Sequence, residues 1–527
     1  MLLQDTVSGS ARKRPLATAI ADGQEQLTYR QLEEVSNRIA QRLILSGCRP
    51  GDRVGILMAK SIPAIAGILG TLKAGAIYVP MDTSSPPIRL KRIIDVCEPN
   101  FILCSGSGVA PMDAIASNQG GAQFQCGWLD AAPPPQAAVD IAFTWDDCLS
   151  GPSDPPPCSS TEDDAAHILF TSGSTGIPKG VIITHRNVSR FLQWAAAYFG
   201  ACSLDRISCH PPLHFDLSTF DIFGTFLAGA ELHLVPPEVS LLPQKLAEFI
   251  RGRELTQWFS VPSVLKYMAQ FDVVSQSDFP KLKRLLWCGE ALPAPTLIYW
   301  MQRLPHVTFT NLYGPTETTI ASSFYTVPAC PALETAEIPI GTACDGEELI
   351  VLDESLAPVP AGEIGGLYIR GAGLSPGYWR DAEKTASVFL ETARGRIYKT
   401  GDLARTGDNG LVYLLGRADS QIKSRGYRIE LGEIEAALYG LGRLRECAVV
   451  SLPTGGFEGN AICCAYVDQN GLVPAVLREQ LAQLIPGYML PVHWMKLDAL
   501  PLNSNGKVDR PLLKQRFQQA LGKTATA

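Results

Sequence analysis

Residues 28–43 (TYRQLEEVSNRIAQRL) place apolar side chains at helical spacing. Thr28 with Gln31 three positions later forms a capping-box signature, so the spacing predicts a helix that starts there. Short apolar runs at 54–57 and 76–79 alternate with such helical stretches. That rhythm predicts an α/β protein with mainly parallel strands. Over 105–163 the pattern dissolves: GGAQ, AAPPPQAA and SGPSDPPPCSS hold few core residues. Much of this stretch reads as surface connection around short strands. A strand-like run at 165–170 follows at once, so the stretch is an excursion inside one domain rather than a boundary. A sharper break comes at Gly401-Asp402 and Gly416-Arg417-Ala418-Asp419, which are turn-rich, followed by the basic segment KSRGYR and a helical pattern at 430–438. The expected organisation is a large N-terminal domain of packed mixed sheets with helices over 1–418, and a small α+β domain over 419–527.

Composition narrows the class without changing that picture. A chain of 527 residues is too long for one hydrophobic core. With 46% hydrophobic and 18% charged residues it reads as a well-packed globular protein. The formal net charge is −7, and no block of Lys and Arg stands out, which argues against a nucleic-acid partner. The first residues lack the continuous apolar stretch of a signal peptide, and no apolar run reaches about 18 residues, so no membrane span and a cytoplasmic location are expected. The fourteen cysteines form no C-x-x-C pair. They read as reduced core thiols rather than a disulfide framework or a zinc site.

The most informative stretch for chemistry is 169–180, LFTSGSTGIPKG. Glycines that accept positive φ let such a loop turn its N–H groups and hydroxyls inward on a polyphosphate, and Lys179 adds a mobile positive charge. It is not a Walker loop, because Lys179 follows Gly176 by three and no Ser or Thr follows it. Six further strings accompany it: LKAGAIYVPMD at 72–82, NLYGPTE at 311–317, GEIGGL at 362–367, YKTGD at 398–402, the stretch 416–435, and LNSNGK at 502–507.

Loop and strings together, in this order, resemble the core motifs of adenylate-forming enzymes, in particular the amino-acid-activating adenylation domains of nonribosomal peptide synthetases. The resemblance implies ATP and Mg²⁺ as cofactors. It assigns Thr171, Ser172, Gly173, Ser174, Thr175 and Lys179 to the β- and γ-phosphates, and Glu317 to Mg²⁺. A hard cation wants carboxylate oxygen, which suits that assignment. Tyr313 would stack on adenine, Thr316 would bond the α-phosphate, and Asp402 would accept both ribose hydroxyls with Arg417 assisting. Gly289, Glu290, Asn311 and Gly314 complete the implied nucleotide-binding set. Lys507 would bridge the substrate carboxylate and the α-phosphate, because otherwise two anions approach each other unneutralised. The implied chemistry is attack of that carboxylate on the α-phosphate, then attack of a thiol on the acyl adenylate. The small domain is mobile in this family and rotates between the steps. Asp419 matches the hinge residue, and Arg425 to Arg428 would come near the thiol.

The same alignment places Asp216, in Phe215-Asp216-Leu217-Ser218, opposite the α-ammonium of an amino acid, with Asp221 as a second candidate. Leu217, Phe220, Phe259, Leu286, Cys288, Leu312, Ile320 and Ala321 would line the side-chain pocket. That list holds no charge and no strong hydrogen-bonding group, so polar side chains would lose hydration uncompensated. The pattern is similar to that of stand-alone ligases that load L-proline onto a carrier protein. L-proline is therefore the expected substrate, with cysteine or another small apolar amino acid as the rival, and an acyl- or aryl-CoA ligase as the alternative activity. No phosphopantetheine attachment site follows Lys507, so the thiol is expected on a separate carrier protein, and Lys423, Arg425 and Arg428 form a basic patch that could steer it.

Overall fold

In the structure, a computed structural model, residues 1–117, 124–132, 140–173, 176–454, 459–468, 471–503 and 507–524 are described. Two large sheets carry the N-terminal part. In the seven-stranded sheet, Arg53–Leu57, Ile77–Pro80, Phe101–Cys104, Gln125–Trp128, Ile141–Thr144 and Ala165–Thr171 run parallel, and Lys179–Thr184 closes one edge antiparallel. The nine-stranded sheet has a parallel centre that includes Arg206–Cys209, Gln257–Ser260, Arg284–Trp287 and Thr308–Tyr313. Strands such as Phe101–Cys104 and Arg284–Trp287 are buried at every position, as expected where helices cover both faces of a parallel sheet.

The helix predicted from 28–43 spans Tyr29–Leu45, and Thr28 and Gln31 form the reciprocal capping box. The stretch 105–163 is more ordered than its composition suggests. It supplies the two edge-side strands Gln125–Trp128 and Ile141–Thr144 and the helix Val109–Ser117. The expectation of mainly parallel strands also misses a third sheet. Glu347–Leu352, Gly365–Gly371, Phe389–Thr392, Gly395–Thr406 and Val412–Arg417 pair antiparallel throughout.

Beyond it lie the hairpin Gln421–Ser424/Tyr427–Glu430, the helix Leu431–Gly440 and a three-stranded sheet with helices Pro474–Leu481 and Arg510–Thr524. Two apolar clusters serve this part, and none of their residues precedes Ile422. All fourteen cysteines are free thiols, and eleven are buried. Among the described residues no helix is long and apolar enough to cross a membrane, and no cluster of His, Cys, Asp and Glu is arranged to hold a metal ion.

Candidate active site

The Ser/Thr/Gly loop is the turn between two paired strands, with Thr171 directly opposite Lys179 in the register. Pairing thus delivers the lysine back to the start of the loop. Gly173 is obligatory, because a Cβ there would stand 2.1 Å from the Ile177 carbonyl oxygen. The Thr171 hydroxyl is buried without a partner, an orphan that a phosphate oxygen would satisfy. Ser172 donates to the carbonyl of Arg428 at 2.6 Å. Ser174 and Thr175 lie outside the described residues.

The expected side-chain pocket is built mostly by strand alternation. Phe259 and Leu286 are register partners on adjacent parallel strands, and Cys288 lies two residues beyond Leu286. Leu286 pairs with Thr310, which puts Leu312 on the same face two residues along. Leu217 and Phe220 enter from the short helix Asp216–Thr219, and the π-turn Phe220–Gly224 directs Phe220 against Phe259 and Phe191, with centroids 5.8 and 5.2 Å apart. Ile320 and Ala321 complete the wall. All eight residues are at most 7% exposed and belong to one apolar cluster. Thr319 and Ile320 hold φ of 61° and 68°. For β-branched residues this is a strained backbone, and such strain concentrates at functional sites.

Asp216 lies at the edge of this cluster. Burial pushes its carboxyl up to about 6, against the pull of the Thr316 hydroxyl and the Lys423 ammonium. Among the described residues no cation lies within ion-pair distance of it. Asp221 points elsewhere. It is 1% exposed, and the nearby charge is Lys60, whose ammonium donates to the carbonyls of Cys209 and His210 at 2.5 and 2.7 Å. Cys288 is buried, and burial pushes its thiol up to about 12.

On the far side of Leu312 a cleft of about 1170 Å³ is lined by Gly289, Glu290, Asn311, Tyr313, Asp402 and Arg417. The Tyr313 hydroxyl donates to Asp402 Oδ2 at 2.5 Å, and Arg417 meets Asp402 Oδ1 at 2.7 Å. Asp402 and Arg417 are opposite each other on paired strands, which is why residues fifteen apart meet. Arg417 also holds Asp419 at 2.7 Å. Asn311 is anchored through Nδ2 to the Pro339 carbonyl at 2.8 Å. Gly314 has backbone at its α-carbon, since a Cβ would lie 2.6 Å from Ala321 Cα.

The hairpin and the helix after it cover this site. Arg428 donates to both oxygens of Glu317 at 2.8 and 2.6 Å, and Tyr378 adds a bond at 2.6 Å. Burial alone would raise the Glu317 carboxyl. The guanidinium of Arg428 and the ammonium of Lys179 outweigh it and hold the group down at about 2. Glu430 stands 3.8 Å from Lys179, and Glu433 accepts the Gly173 N–H at 3.3 Å. Gly426 donates to Glu290 Oε1 at 2.6 Å, so Glu290 is engaged by the hairpin.

Two expectations need correction. Arg428 does not belong to an exposed basic patch, because it is buried against Glu317. Lys507 is not gathered with the other site residues. It is exposed, and its backbone bonds lie within its own turn, to Asn503. The sequence offered no signal for Tyr378 or for Glu433, both of which come to the site from distant segments.

Comparison with known proteins fits this arrangement. Residues 7–379 match the family model described as AMP-binding enzyme, and residues 433–507 match AMP-binding enzyme C-terminal domain. The chain is similar to an L-proline--[L-prolyl-carrier protein] ligase of Pseudomonas fluorescens, 34% identical over 98% of this chain and 99% of that protein. It is 36% identical to an isonitrile lipopeptide synthase of Mycobacterium tuberculosis over 95% of this chain, but spans only 19% of that protein. Among solved structures, the Vibrio cholerae adenylation domain AlmE, in complex with glycyl-adenosine-5'-phosphate, shares the fold with a TM-score of 0.86 at 24% identity over 98% of each chain. Holo-PA1221, an NRPS protein containing adenylation and PCP domains, gives 0.80 at 26% identity over 98% of this chain and 84% of that one. The chain belongs to the family of AMP-binding, adenylate-forming enzymes and carries the core and the C-terminal domain of that family.

Proposed function

We propose that the protein activates an amino acid, L-proline, as its adenylate and passes it to the phosphopantetheine thiol of a carrier protein. The observation that carries the reading is Asp216: a carboxylate without an ion-pair partner, among the described residues, at the rim of a pocket whose walls are entirely apolar. A burial cost of that kind is repaid by a ligand cation, and the α-ammonium of an amino acid supplies it. Two phenylalanines and three leucines leave room for a compact side chain. The proline ligase relative supports that choice.

In this reading Thr171, Ser172, Gly173 and Lys179 cradle the β- and γ-phosphates, and Thr316 bonds the α-phosphate. Tyr313 lies along the adenine, and Asp402, oriented by Tyr313 and Arg417, takes the ribose hydroxyls. The carboxylate oxygens of Glu317 suit Mg²⁺, which when bound would neutralise charge on the phosphates. Those oxygens now accept from Arg428 and Tyr378, and carboxylates of Glu430 and Glu433 lie against Lys179 and the Gly173 N–H. A cation and two anions of the small domain therefore stand where metal and phosphates would bind. This arrangement suits the second step, after pyrophosphate has left. Lys507 would reach the α-phosphate only after a rotation that removes the hairpin, with the domain boundary and hinge at Asp419. No side chain serves as nucleophile, and the protein contributes position and charge.

The test separates the steps. Lys507→Ala should abolish amino-acid-dependent ATP–pyrophosphate exchange yet retain thioester formation from supplied prolyl adenylate. Equal loss in both steps would refute the assignment of Lys507 to the first step alone.

A further inference from the structure

Arg89, on the helix Pro87–Cys97, is not part of the nucleotide or amino-acid site, yet it forms a buried ion pair with Glu433 of the helix Leu431–Gly440. The two side chains are 7% and 1% exposed and 344 residues apart in the chain. The other oxygen of Glu433 accepts the Gly173 N–H at 3.3 Å. Three residues along the same helix, Arg92 donates to the Gly176 carbonyl at 3.0 Å. One helix of the large domain thus grips both the phosphate loop and the small-domain helix that covers it. Tyr488, beside Arg89, stacks on Tyr427 of the hairpin at 3.6 Å, so the pair sits at the base of the segment that carries Arg428 and Gly426 to the site.

We propose that Arg89 is a positioning residue for the thioester-forming step, acting through Glu433. This rests on the two-step reading above. With the hairpin on the site, the guanidinium and the carboxylate neutralise each other in a place water does not reach. When the small domain turns away to admit Lys507, Glu433 leaves, Arg89 is opened to solvent, and both ions recover hydration. The pair therefore favours one of the two arrangements, and it does so without touching substrate. Removing one partner leaves the other charge buried in the closed arrangement alone, so the loss falls on the second step.

The experiment compares ATP–pyrophosphate exchange with single-turnover acyl transfer from preformed adenylate to pantetheine. Arg89→Gln should leave exchange within about twofold and slow transfer by roughly tenfold or more. The charge swap Arg89→Glu with Glu433→Arg should restore transfer by at least half of that loss on a logarithmic scale. Equal loss in both steps, no loss in either, or a swap no faster than the single variants would overturn the proposal. If Arg89→Gln fails to fold, Arg89→Lys, which keeps the charge and loses the fork geometry, should show the same split to a smaller degree. An unchanged transfer rate in that variant would also overturn it. Silence of the wild-type protein in exchange with every amino acid would instead sink the underlying reading, so the two failures are told apart.

Discussion

Asparagine in place of Asp216 keeps the shape of the side chain and removes its charge. Burial raises the carboxyl from 3.8 to about 6. At about 1.4 kcal/mol per tenfold change in proton affinity, the ionised form is disfavoured in the free protein by up to about 3 kcal/mol, and by roughly 1–3 kcal/mol once its partial contact with water is allowed for. Because the folded value lies above the unfolded one, that penalty is absent below 3.8 and fully present above about 6. Asp216→Asn should therefore melt at an equal or higher temperature than wild type near pH 8, with the difference vanishing as pH falls through this window. Catalysis moves the other way. A substrate ammonium that loses a buried carboxylate partner loses about 3–5 kcal/mol, so the KM for the amino acid should rise about a hundredfold or more while the KM for ATP changes little. In wild type the amino-acid KM should climb about tenfold for each pH unit below 6. ATP–pyrophosphate exchange, titrated in amino acid across this range, measures both. An amino-acid KM that is flat with pH, or equal rises for ATP and amino acid in the variant, would refute the ammonium-partner argument.

Other outcomes follow from single contacts. Glu317→Gln removes the charge that neutralises buried Arg428, and should lower stability by about 3–5 kcal/mol in denaturant melts. It should also abolish exchange at any magnesium concentration; full stability would show that the Arg428 pair is absent in solution. Gly173→Ala would force a methyl against the Ile177 carbonyl, 2.1 Å from the ideal Cβ. ATP binding by calorimetry should be lost with the fold retained, and normal binding would contradict the loop geometry. Of the fourteen thiols only Cys158, Cys202 and Cys330 are exposed. A thiol reagent should titrate three quickly and the rest only in denaturant, and a larger fast count would contradict the packing.

Much of this was legible from local pattern. The capping box at Thr28 and Gln31 fixed where its helix starts, because the signal and the bond lie within four residues. The pocket list held together because strand alternation turns Leu286, Cys288 and Leu312 to one face once the strands are in register. The strands at 125–128 and 141–144 were harder to see. Four-residue strands near a sheet edge lean on neighbours, as Cys126 does on Ile102, and need little apolar pattern of their own. The antiparallel third sheet hid behind turn residues such as Gly395 and Gly410. Pairs joined across the fold, Arg428 with Glu317 and Arg89 with Glu433, left no trace in spacing. They exist because two domains press charged residues into one dry interface. The position of Lys507 could not be read either, since it depends on which face the small domain presents.

Amino-acid-dependent ATP–pyrophosphate exchange across the proteinogenic amino acids plus pipecolate, with no carrier protein present, tests the central claim most directly. A single strong response to L-proline is the predicted result. A dominant response to cysteine or valine would contradict the substrate while keeping the enzyme class, and silence with every amino acid would contradict amino-acid activation itself.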